Sequence, residues 1–154
     1  LKKRVLTLEP GTFVRIPLAD GSFGYGRVLS DPYTAFYDYR TTEPSSNLDE
    51  IESKPVLFTQ AVRLFAYNRW ANLGRRKLEG DVGKPVVRFM QDLADFKKCT
   101  IYDSDGRQRE AKPEECIGLE RAAVWDVHHV EQRLLDHFMG RPNEFEIQGR
   151  VRLS

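Results

Sequence analysis

From Asp126 to Met139 the chain carries a helical period with a marked start and stop, and this segment limits what the rest can be. Val127, Val130, Leu134 and Phe138 recur at helical spacing, and Leu135 and Met139 widen the stripe. Asp126 stands at the capping position, Gly140 suits a left-handed stop, and Pro142 cannot continue a helix. Trp125 comes just before, at the end of the small apolar segment Gly118–Trp125, and is expected to anchor the core where strand and helix meet. A helix with one apolar stripe must bury it against another layer. The remainder of the chain offers short strands for that layer.

Thr12–Leu18 and Phe23–Leu29 read as strands joined at Asp20-Gly21, a strong hairpin dipeptide. Pro17 confines the end of the first to an edge. Gly24 and Gly26 share one face of the second, which implies strong curvature or the close approach of another backbone. Asp31-Pro32 ends that strand, and Thr34–Arg40 forms a third. Asn47 can cap a short helix over Leu48–Ser53, and Val56–Tyr67 reads as a long strand. Residues 68–84 read as a loop with Trp70 as its one large anchor. Pro85–Met90, Cys99–Tyr102 and Arg107–Glu110 are further strands, and Gln91–Lys98 is ambiguous. Lys112-Pro113-Glu114-Glu115 resembles a helical first turn, and Glu144–Leu153 a closing strand. The expected fold is α+β and mostly β: a curved antiparallel sheet or small barrel, with one main C-terminal helix and one or two short ones. A length of 154 residues fits one domain, with 1–10 as a lead-in, and can bury a core without disulfide or metal.

Charge constrains partners only mildly. The formal net charge is +1, so no global field calls for nucleic acid or a membrane surface. Residues 1–88 hold 14 Lys and Arg against 10 Asp and Glu; residues 89–154 hold 10 against 13. Cys99 and Cys116 have neither zinc-knuckle nor C-x-x-C spacing, and two thiols in a chain of this size suit a reducing compartment, with the cytoplasm as the expected location. No apolar run approaches a membrane span, and no apolar region follows Lys2-Lys3-Arg4 as a secretory signal would require.

Five sets of residues invite a chemical reading. Gly21-x-x-Gly24-x-Gly26 lacks the helix that a phosphate loop needs after it. Asp103-Ser104-Asp105-Gly106, with Glu114 at the twelfth position, has its glycine at the fourth place of a calcium loop rather than the sixth, and Arg107 and Arg109 at ligand positions. Asp126, His128, His129 and His137 lack H-E-x-x-H spacing, and a nucleophile pair of Cys116 with His129 would need a third orienting group. Tyr25, Tyr33, Phe36, Tyr37 and Tyr39 lie near Arg15, Arg27 and Arg40, where stacked rings and cations could hold single-stranded nucleic acid. A core or a protein interface accounts for them better in a chain without net basic charge. Asp103, Asp105, Glu110, Glu114, Glu115 and Glu120 form an acidic set that reads as a solvated face or as a mimic of phosphate against a basic partner. No catalytic, metal or cofactor site is expected from these patterns.

Two segments together resemble the immunity protein 26 family. One is Gly11–Leu29; the other is Glu114–Trp125, followed by His129-Val130-Glu131 and Gly140-Arg141-Pro142-Asn143. Pro55–Phe58, Trp70 and Leu73-Gly74 fall between them in matching order, so the resemblance runs from about Gly11 to Asn143. It implies a mostly β bacterial cytoplasmic protein, encoded beside toxin genes in polymorphic toxin systems. Such a protein binds and neutralises a cognate toxin domain and brings no catalytic residue or cofactor. Nanomolar affinity corresponds to about −12 kcal/mol, usually over about 1,600 Å² with aromatic or arginine anchors. Tyr25, Arg27, Tyr37, Asp38 and Tyr39 are the first expected contact patch. Glu114 and Glu120 are the second, suited to a basic nuclease toxin. A nucleic-acid-binding β-barrel and a small hydrolase using Cys116 or His129 are the competing readings.

Overall fold

The computed structural model describes residues 8–63 and 69–154. These form nine strands and three α-helices in two compact units. The first unit comprises residues up to Gly83 together with Val124–Asn143; the second comprises Lys84–Ala123 and Glu144–Ser154.

The first unit is built on β1 (Thr12–Pro17), β2 (Phe23–Val28), β3 (Tyr33–Tyr37), β4 (Val56–Val62), β5 (Ala71–Arg75) and β9 (Val124–Trp125). Their order is β5-β1-β2-β3-β4-β9, antiparallel except for the parallel pair β4–β9. The sheet is open, so it takes the sheet form of the expectation and not the barrel. Residue period decides its two faces. Val14, Ile16, Val28, Phe36, Phe58 and Val62 line one face and meet Val127, Val130 and Leu134 of helix α2 (Val127–Phe138). Each of these buried apolar side chains is worth about 1.5–3 kcal/mol. Phe13, Tyr25 and Tyr37 line the other face, with Ile51 of the short helix α1 (Leu48–Glu52).

Gly24 lies under α2: a Cβ there would stand 3.2 Å from Leu134 Cδ1. A Cβ on Gly26 would stand 3.0 Å from the Ala35 carbonyl oxygen. The paired glycines therefore admit a helix side chain and a neighbouring strand. At the far end of α2, the Arg141 amide donates to the Asp136 carbonyl (2.8 Å) and the Gly140 amide to that of His137 (3.1 Å). With Gly140 at φ +69, this is a Schellman stop. Asp126 holds the N-cap position with extended backbone but makes no side-chain cap bond. Met139 sits at the C-cap and is exposed, so the apolar stripe ends at Phe138.

Three expectations are corrected. Residues 68–84 are not simply loop, because Ala71–Arg75 adds β5 to the edge of β1. The core tryptophan of this unit is Trp70, 3% exposed, whereas Trp125 packs at the rim of the core. Glu144–Leu153 forms no closing strand: Glu144–Gln148 is helix α3, with acidic residues in its first turn and a Glu146–Arg150 pair at 2.8 Å. Of the long strand expected over Val56–Tyr67, β4 runs to Val62, and positions 64–67 lie outside the described residues.

The second unit is a three-stranded antiparallel sheet, β6 (Val87–Gln91), β7 (Cys99–Asp103) and β8 (Gln108–Ala111). Its core is Phe89, Cys99 and Cys116, joined by Ile101, Ala111, Leu119 and Val151. The ambiguous stretch before β7 is a loop folded on its own carboxylates. The Asp92 carboxylate accepts the amides of Ala94 and Asp95, and Asp95 that of Lys97.

Candidate functional site

The first expected patch is largely interior. Arg27 is 2% exposed and donates from Nη2 to the carbonyls of Arg76 (3.1 Å) and Lys77 (3.0 Å). Its guanidinium lies 4.5 Å from the centroid of the Phe13 ring. Tyr25 is buried against the stacked Tyr39 ring (5.1 Å), and its hydroxyl accepts the Ser45 amide and bonds Thr41 Oγ1. Tyr37 is buried beside Phe13, and burial pushes its hydroxyl pKa above the usual value. These three side chains tie sheet to loop. A partner could touch them only by opening the unit.

Asp38 and Tyr39 remain at the surface. Asp38 pairs with His137 at 3.1 Å, both nearly half exposed. Tyr39 is half-buried under the Lys54 ammonium (5.0 Å). Desolvation, then Glu50 beside it, raise the Tyr39 hydroxyl pKa. Phe36 and Tyr33 are buried too, so this aromatic set offers little stacking surface to a nucleobase.

The acidic set is dispersed by its own turn chemistry. Asp103 Oδ1 accepts the amides of Asp105 (2.9 Å) and Arg107 (3.2 Å), closing the hairpin from β7 to β8. Glu115 accepts the Lys112 amide and pairs with Arg109 at 2.9 Å; these contacts, the backbone one first, lower its pKa. Among the described residues no group of three His, Cys, Asp or Glu side chains could hold a metal ion. Cys116 is fully buried beside Cys99, and its S–H faces the Lys112 carbonyl. Burial first, then the neighbouring Cys99, push its thiol up to about 11, which disfavours the thiolate a nucleophile needs. His129 belongs to the other unit.

Glu114 is exposed on the 3-10 turn Pro113–Cys116. Glu120 is half-buried and lines a groove of about 440 Å³ within the second unit. Pattern reading reached Glu120 but missed the groove's apolar walls, Ile117, Leu119, Val151 and Leu153. Ile117 is 61% and Leu153 54% exposed. No period marks them, because each owes its position to an irregular segment.

Among known proteins, the family model for immunity protein 26 matches residues 9–100. That covers Gly11–Leu29 but stops short of Glu114–Asn143, the second segment of the resemblance. No curated protein and no solved structure matches the chain. No helix among the described residues is long and apolar enough to cross a membrane.

Proposed function

The chain belongs to the immunity protein 26 family, and from that premise we propose that it binds a cognate bacterial toxin and neutralises it by stoichiometric occlusion in the cytoplasm. The family match over residues 9–100 carries this reading. Two further observations support it. The cysteine that a hydrolase would use is buried and held protonated. The rings that a nucleic-acid module would use are mostly packed inside the first unit. Occlusion needs no catalytic group on this chain, only a surface complementary to the toxin and slow to release it. Asp38 and Tyr39 on the first unit, and Glu114 and Glu120 on the second, are the accessible members of the expected contact set.

The test is co-expression with the product of the adjacent open reading frame. A toxin encoded there arrests growth alone and is silenced by this chain in a 1:1 complex of nanomolar affinity. Absence of both protection and complex would refute the proposal.

A further inference from the structure

The two cysteines of the chain meet in one place. Cys99 opens β7, and Cys116 closes the 3-10 turn Pro113–Cys116. Cys99 pairs with Ala111 in the β7–β8 ladder, and the turn that follows β8 folds back onto β7. Both side chains enter the same small core, with Phe89, Ile101, Ala111 and Leu119 around them. Cys99 is 4% exposed and Cys116 0%. Each S–H points to a main-chain carbonyl, Cys99 to Phe96 (3.9 Å) and Cys116 to Lys112 (3.7 Å). The two thiols also act directly on each other. Among the described residues no third metal-binding side chain joins them, so the chemistry open to these adjacent sulfurs is a bond between them.

We infer that Cys99 and Cys116 form a reversible disulfide that locks the second unit under oxidising conditions. The inference stands apart from the immunity reading. The oxidant is a low-molecular-weight disulfide of the glutathione type. One cysteine thiolate attacks a sulfur of that disulfide, breaks its S–S bond and releases one small thiolate. The second cysteine then attacks the protein sulfur of the mixed disulfide, closes the Cys99–Cys116 bond and releases the other. Two electrons pass from the cysteines to the small disulfide, and the two cysteine protons end on the released thiols. Cys99, the less enclosed sulfur, takes the first step, and Cys116 behind it resolves the mixed disulfide.

The fold decides both the rate and the balance of this exchange. Burial of both sulfurs makes it slow while the unit is closed, so it proceeds through local openings of 99–116. Once the bond is made, the closed unit holds the two sulfurs side by side and favours the product. The bond in turn rings residues 99–116, which include the whole β7–β8 hairpin and the 3-10 turn. A reducing cytoplasm keeps the pair as thiols, and the lock marks its loss.

The full-length chain is equilibrated in glutathione buffers of graded poise, from the reduced and from the oxidised side. Thiols are then trapped in acid and counted by intact mass. Both thiols are expected to disappear together in a monomer, with a non-reducing peptide map joining the Cys99 and Cys116 peptides and dithiothreitol restoring both. The folded chain is expected to oxidise at a glutathione poise at least ~10-fold more reducing than the same chain in urea, because only the fold holds the pair together. Hydrogen exchange is expected to slow over 99–116 in the oxidised chain. Cys116→Ala, which lacks the resolving sulfur, is expected to stop at a glutathione adduct on Cys99. Adducts or dimers in place of the internal bond in the wild-type chain would overturn the inference. Equal midpoints in the folded chain and in urea, or exchange over 99–116 that the bond leaves unchanged, would overturn the lock as well.

Discussion

Glu131 allows the packing of α2 on the 69–70 segment to be tested quantitatively. Its carboxylate is 9% exposed, accepts Arg69 Nε at 2.8 Å and Nη2 at 2.9 Å, and accepts Trp70 Nε1 at 3.0 Å. Trp70 is itself almost wholly buried. Glu131→Ala takes the charged acceptor from a buried indole N–H, which costs about 1.5–3 kcal/mol. The Arg69 pair adds less, about 0.5–1 kcal/mol, because that guanidinium is 46% exposed and rehydrates. The expected loss is therefore about 3 kcal/mol, or about 6–12 °C in Tm for a chain of this size. Glu131→Gln keeps a carbonyl oxygen for the indole and loses only the charge, so it is expected to cost about 1–1.5 kcal/mol. Urea melts of the single variants, Trp70→Phe and the double variants form a cycle. The Trp70–Glu131 coupling is expected at about 1–2 kcal/mol. Additivity within about 0.3 kcal/mol, or Gln falling as far as Ala, would refute the reasoning.

Other outcomes follow from local geometry. Gly11 has φ +94, and a Cβ there would meet the Arg76 carbonyl oxygen at 2.0 Å; Gly21 has φ +86 and open space. Chemical melts should therefore separate Gly11→Ala, costing about 3 kcal/mol or more, from Gly21→Ala, costing about 1–2 kcal/mol; equal losses would contradict the close approach. The Asp20 carboxyl is held down to about 2 from 3.8 by its bond from the Ser22 hydroxyl, then by Arg40 and the Ser22 amide. A depressed folded-state pKa stabilises above the ordinary value and stops doing so as pH falls through about 2. Asp20→Asn should therefore lose stability at pH 6 and flatten the acid limb of a stability-against-pH curve; an unchanged limb would exclude Asp20 as a contributor. Iodoacetamide at pH 8 should label Cys116 at least ~100-fold more slowly in the folded chain than in urea, since a thiol near 11 rather than 9.0 holds about that much less thiolate and the buried sulfur is shielded from the reagent as well. Equal rates would restore a thiol chemistry to this site.

Local chemistry made much of the frame legible. Asp20-Gly21 closes the first hairpin, Asn47 caps α1 through the Glu50 amide, and Gly140 stops α2 where a left-handed residue was expected. The α2 stripe was readable because Val127, Val130 and Leu134 repeat with the helix itself. Errors arose where a contact distant in sequence decides the outcome. Ala71–Arg75 has weak strand character and becomes β5 because the edge of β1 is there to pair with. Glu144–Leu153 alternates polar and apolar residues as a strand would, yet only Glu144–Gln148 is regular, as helix α3, and the backbone after it bonds to the side chains of Arg121 and Gln91 instead of a strand.

By itself, the sequence determined the first hairpin and its turn, the stop of α2 and the face of α2 that must be buried, because each depends on residues within a turn or two of one another. The family resemblance was legible on the same footing, through ordered runs of local motif. Tertiary structure alone decided which polar and aromatic groups face outward. Tyr25, Arg27 and Tyr37 look like interface anchors in a one-dimensional reading, and each is enclosed by partners between 14 and 50 positions away: Phe13 and Thr41, then Arg76 and Lys77. Ile117 and Leu153 are apolar, yet both are left exposed where the turn at Gly118 and the segment 149–153 form a groove. Burial is set by long-range packing, and no short window of sequence contains it.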